Sequence, residues 1–150
     1  AHTHTHAHTR ARLSKAAPTG GHHFGPVENN PFDAYQDYGH SHWKDSMIYG
    51  KGVTNVTITG SGLITGGGSL SEGEPHVGDG CKMIGLVSCA HVIITDVSME
   101  QGGWFTLLAT NITGLTITGV TVAAARDGFD IVSCRHVRID NVHVYGGGDD

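Results

Sequence analysis

The strongest constraint on this chain is a repeat. "HVIITDVSM" (91–99), "GLTITGVTV" (114–122) and "HVRIDNVHV" (136–144) are three copies of one pattern, and "NVTITGSGL" (55–63) is a looser fourth. In each close copy apolar residues fall at i, i+2, i+5 and i+7: Val92, Ile94, Val97, Met99; Leu115, Ile117, Val120, Val122; Val137, Ile139, Val142, Val144. A step of two is the period of an extended strand, and the step of three marks a sharp corner between two short strands. Val92 to Leu115 is 23 residues and Leu115 to Val137 is 22. Val56 to Val92 is 36, which reads as one such turn plus an insertion around "GGGSLSEGEPHVGDG".

A further strand fits before each close copy, in "KMIGLVSCA" (82–90), "WFTLLATNI" (104–112) and "DGFDIVSCR" (127–135). Each repeat then holds about three short strands and no helix. None can bury its apolar side alone, so successive repeats have to stack. The expected fold is all-β, a right-handed parallel β-helix over residues 46–150 whose adjacent coils lie roughly 4.8 Å apart. A β-sandwich would show hairpin turn dipeptides and no fixed register between copies. The 23 glycines, the 15% of charged residues and the richness in Val and Ile suit short strands and turns. Three cysteines are too few, and odd in number, for a disulfide framework. Cys89 and Cys134 share one slot two coils apart, roughly 9.6 Å, beyond disulfide reach, and are expected as buried thiols in an internal stack.

Ahead of the coils, residues 1–25 lack hydrophobic periodicity and carry His2, His4, His6 and His8, as expected of a disordered low-complexity tail. Residues 26–45, with Phe32, Tyr35, Tyr38 and Trp43, read as a lead-in, with organised structure beginning near Ser46. A net charge of −5 without a Lys/Arg cluster argues against a nucleic-acid partner. No stretch approaches the roughly 20 apolar residues of a membrane span.

Stacked parallel sheets set outward side chains in ladders, so residues one period apart become surface neighbours. Asp127 and Asp149 are 22 residues apart, Asp150 adjoins Asp149, and Asp130 lies further along the strand of Asp127. Clustered carboxylates raise one another's pKa, and sites that need one protonated and one ionised carboxyl use that effect. Glycosidic hydrolysis needs such a pair. On spacing alone these aspartates are equally readable as turn acids beside glycine. Trp104 is expected one coil before Asp127, either stacking on a sugar ring or packed inward, and Asp130 is expected in a supporting role. His91 and His136 share a corner slot and read as structural or exposed ladder residues. Glu72, Glu74, His76 and Asp79 read as a solvated loop.

"RDGFDIVSCRHVRIDNVHVYGGGDD" (126–150) resembles the signature region of the polygalacturonase family, glycoside hydrolase family 28, and its bacterial branch in particular. The likeness runs from about Trp43 through "HWKDSMIYG", "NVTITGSGLITG" and "GGWFTLLATNITGLTI". The resemblance implies an inverting hydrolase of pectic polysaccharide or oligogalacturonide, needing no cofactor or metal, monomeric and secreted or periplasmic. It gives Asp149 the part of general acid, and Asp127 and Asp150 that of activating the attacking water. Arg126 stands where many members have Thr. The family's later G-H-G and R-I-K motifs have no match, "YGHSH" (38–42) being elsewhere in the order, so no cation is expected on the carboxylate face. The chain is therefore expected to be the N-terminal part of a longer hydrolase, with little activity alone. Two other functions suit the coils: a calcium-dependent pectate lyase, with aspartates as oxygen ligands, and a non-catalytic carbohydrate-binding segment.

Overall fold

The computed structural model describes residues 34–35, 38–71 and 80–148. The expectations for the His-rich tail, for half of the lead-in, for Glu72, Glu74, His76 and Asp79, and for Asp149 and Asp150 lie outside the described residues.

Among the described residues, four coils of three strands follow one another. They are β1 (Ser46–Lys51), β2 (Thr54–Thr59) and β3 (Leu63–Thr65); β4 (Lys82–Val87), β5 (Ala90–Thr95) and β6 (Ser98–Glu100); β7 (Phe105–Thr110), β8 (Thr113–Thr118) and β9 (Thr121–Ala124); and β10 (Asp127–Val132), β11 (Arg135–Asp140) and β12 (His143–Gly146). Each strand pairs in parallel with its equivalent in the next coil, which gives three four-stranded sheets: β1-β4-β7-β10, β2-β5-β8-β11 and β3-β6-β9-β12. This is the parallel β-helix that the repeat implies. Val56, Val92, Leu115 and Val137 stand in register, as do Ile58, Ile94, Ile117 and Ile139. The 36-residue interval is thus one coil plus an insertion, carried between β3 and β4.

The corners explain why the strands are shorter than their apolar runs. Gly52, Ser88, Asn111 and Ser133 occupy one corner, and all have positive φ. Gly60, Asp96, Gly119 and Asn141 repeat this at the next corner. Six of these eight residues are Asn, Asp or Gly, which tolerate the left-handed region better than others; Ser88 and Ser133 are the two exceptions. His91 and His136 also have positive φ, at 54° and 55°, and their side chains are exposed, in keeping with ladder residues of the corner. Just inside the first corner Cys89, Ile112 and Cys134 stack. The Ile112 amide donates to Cys134 Sγ at 3.4 Å, and all three cysteines of the chain are free thiols.

The second sheet shows the alternation of a strand with one dry face, Val92, Ile94, Leu115 and Ile117 being fully buried while Ile93 is 42% exposed. The first sheet does not alternate: β4 and β7 are buried along almost their whole length. The segment 38–45 covers their outer face. Trp43 Nε1 donates to Thr110 Oγ1 at 3.1 Å, Lys82 Nζ donates to the His42 carbonyl at 3.3 Å, and the Gly80 amide donates to Asp45 Oδ1 at 2.7 Å. Gly39 lies so close to the Phe105 ring that a Cβ there would overlap it. Organised structure therefore begins before Ser46. A 3₁₀ turn at Tyr38–His40 is pinned over β7 and β10. No helix of the described residues is long and apolar enough to cross a membrane.

Candidate active site

Asp127 opens β10, is nearly buried, and stands opposite Phe105 in the parallel ladder. Its amide donates to the Trp104 carbonyl at 3.1 Å. Phe105, not Trp104, is therefore the residue one coil before Asp127, and the expectation for Trp104 is corrected by one position. In a pleated strand a one-residue slip moves a side chain to the other face. Trp104 is half-buried beside it, its ring tilted 42° against Phe105 with centroids 6.3 Å apart, and its buried Nε1 has no hydrogen-bond partner among the described residues.

Arg126 overturns the expectation that no cation stands on this face. Its Nε is 3.7 Å from Asp127 Oδ1, and its guanidinium lies 4.5 Å from the centre of the Trp104 ring and 5.4 Å from that of Phe105. The aromatic faces of the third coil attract the cation of the fourth, which fixes it beside the carboxylate. Neighbour identity in the next coil supplies this; motif comparison along the chain does not.

Asp130 is three residues beyond Asp127, and strict alternation would send the two to opposite faces. Instead one donor atom from each of His40, Asp127 and Asp130 lies within 4.8 Å of the others. The strand breaks alternation at Gly128, where a Cβ would come 2.7 Å from Val144 Cγ1, while Phe129 and Ile131 pack against the core. Asp130 Oδ1 is 3.4 Å from His40 Nε2. Burial, and then the nearby Asp127, push the Asp130 carboxyl up to about 6, with His40 and Arg126 pulling the other way. Arg126 supplies positive charge beside these carboxyls, and carboxyls this close influence each other's protonation.

His40 is the site residue that sequence reasoning missed. It lies outside the repeat, so no period places it, and only the course of the lead-in over the first sheet brings it to Asp130. At the other end, Gly147 adopts φ 84° and its amide donates to the Ala124 carbonyl at 2.9 Å; a Cβ there would come 2.7 Å from the Arg126 carbonyl oxygen. The Gly148 amide then donates to that same Arg126 oxygen at 3.2 Å. The glycine run thus lays the backbone directly against the residue that precedes Asp127.

The family model described as glycosyl hydrolases family 28 matches residues 27–150. No curated protein and no solved structure matches the chain. Since the family match spans all four coils together with the segment that carries His40, the chain belongs to glycosyl hydrolases family 28, enzymes that cleave glycosidic bonds.

Proposed function

We propose that the chain acts on a pectic polysaccharide by inverting general acid/base hydrolysis, with Asp149 as the acid and with Asp127 and Asp150 activating water. One observation carries this reading: the offset between the third and fourth coils is 22 residues in every sheet, as in Phe105–Asp127, Leu115–Val137 and Thr121–His143. The same offset applied to Asp127 reaches Asp149, one residue past the Gly148 amide that is bonded to Arg126. In this mechanism the acid protonates the departing glycosidic oxygen while a carboxylate takes a proton from the water that attacks the anomeric carbon from the opposite face.

Around that centre, half-buried Trp104 offers part of a ring face to a sugar, and Asp130 supports Asp127. Arg126 supplies positive charge beside an acidic sugar. The polysaccharide lies outside the cytoplasm, so the enzyme works as a secreted or periplasmic protein. Incubation of polygalacturonate with the whole protein that carries these residues tests the reading: new reducing ends are expected, proton NMR is expected to show the inverted anomer first, and Asp149→Asn is expected to abolish both. Calcium-dependent release of unsaturated, ultraviolet-absorbing products would overturn it in favour of a lyase. Unchanged activity in Asp149→Asn would remove the assignment of the acid.

A further inference from the structure

We infer that His40 is a positioning residue of the carboxylate cluster, holding Asp130 beside Asp127 so that the two carboxyls share a proton in one fixed arrangement. The observations are geometric. His40 sits on a turn anchored at several points to the first sheet, its ring packs on Phe105 with centroids 4.9 Å apart, and its Nε2 faces Asp130 Oδ1 at 3.4 Å. Phe105 is in turn the ladder partner of Asp127. Phe105 therefore carries the histidine on its ring while its backbone pairs with the strand that opens at Asp127. The other Asp130 oxygen, Oδ2, is buried with no hydrogen-bond partner among the described residues. His40 thus fixes the rotation of a carboxyl that would otherwise be loosely held at this point.

The charged and titratable groups facing Asp130 are Asp127 on its own strand, Arg126 just before that strand, and His40 from the 3₁₀ turn. The residue beside Asp130 on β7 is Leu108, which contributes no charge. Two carboxyls this close lose their protons in two steps that belong to the pair. Asp127 raises the upper step, and His40 and Arg126 lower it. Removing His40 takes away one of the two opposing influences, so the upper step has to move to higher pH.

The inference rests on the proposed hydrolysis only for its catalytic meaning; the geometry and the titration stand without substrate. The test is a carbon-13 carboxyl NMR titration of the whole protein, with Asp130→Asn used to assign the resonance. Wild-type protein is expected to show the Asp130 step near 6. In His40→Phe, which keeps a ring on Phe105, the step should rise by about one unit, since an opposite charge at this range lowers a carboxyl by about one to three units. In His40→Gln, which keeps a neutral donor, it should rise by less. An Asp130 step unmoved in both variants, with the circular dichroism of the folded chain retained, overturns the inference. If His40→Phe does not fold, His40→Gln decides alone: any rise supports the inference and none overturns it. Where hydrolysis is measurable, the acid limb of its pH profile should move with the titration. A moved titration without any hydrolysis would fault the functional reading and leave the positioning role standing.

Discussion

The third and fourth coils are built on one pattern and do different work. Position by position, Phe105 on β7 corresponds to Asp127 on β10, and Leu108 to Asp130. The outward positions are apolar in one coil and carboxylic in the next. The inward positions keep their chemistry but change their surroundings: Leu115 and Ile117 are fully buried, whereas Val137 is 38% and Ile139 48% exposed among the described residues. In a solenoid each repeat draws its stability from the coils on either side as well as from itself. The third coil is a scaffold packed between the second and the fourth. The fourth uses that scaffold as a floor for titratable groups whose burial the third coil alone would not need.

The sharpest way to break this contrast is to exchange its two members. Asp127→Asn removes a proton acceptor without changing shape, and is expected to lower hydrolysis by about 10²–10⁴-fold, read as initial rate on polygalacturonate. Phe105→Ala, at the same position one coil earlier, removes a fully buried ring and is expected to cost about 3–5 kcal/mol in a denaturant titration. If Asp127→Asn shifts the unfolding midpoint as far as Phe105→Ala does, the fourth coil's acid is structural and the contrast fails.

A second pair examines the inward positions. Ile117→Ala should cost about 2–5 kcal/mol, since a fully enclosed side chain leaves a cavity that neighbours on both sides cannot fill. Ile139→Ala should cost about 1 kcal/mol or less, because roughly half of that side chain already meets solvent. Equal costs, measured by the same titration, would mean that the exposed side of the fourth coil is covered in solution.

The fold was legible because stacking turns a linear interval into a spatial one. Val92, Leu115 and Val137 recur at 23 and 22 residues, and the ladder keeps that register. One corner of each coil was legible from the step of three between apolar pairs, although the strands end earlier than their apolar runs because Ser88, Asn111 and Ser133 take the left-handed conformation. The site was only partly legible. A period determines which coil a residue faces, yet an error of one exchanged Trp104 for Phe105. Asp130 joins Asp127 through a break in alternation at Gly128 that no repeat announces. His40 reaches the site by tertiary packing of a segment without a period, and Arg126 takes its meaning from the aromatic rings one coil away.

Placing Asp130 there also has an energetic consequence that depends on pH. Its carboxyl goes from an ordinary 3.8 to about 6 in the folded chain, mainly through burial and then through Asp127. A raised carboxyl binds its proton more tightly when folded than when unfolded. Its favourable contribution is therefore complete below about 3.8 and is lost as pH rises through about 6. Each unit of difference corresponds to about 1.4 kcal/mol, and the pair titrates jointly, so the change between pH 4 and pH 7 is on the order of 1–3 kcal/mol. Asp130→Asn cannot titrate. Any constant effect of the substitution cancels when the stability difference between wild type and variant is compared at the two pH values. That difference should move in favour of the variant from pH 4 to pH 7. A difference independent of pH would show that Asp130 ionises as easily in the folded coil as in the unfolded chain, and would leave the fourth coil's carboxylates as ordinary surface acids on a scaffold like the third.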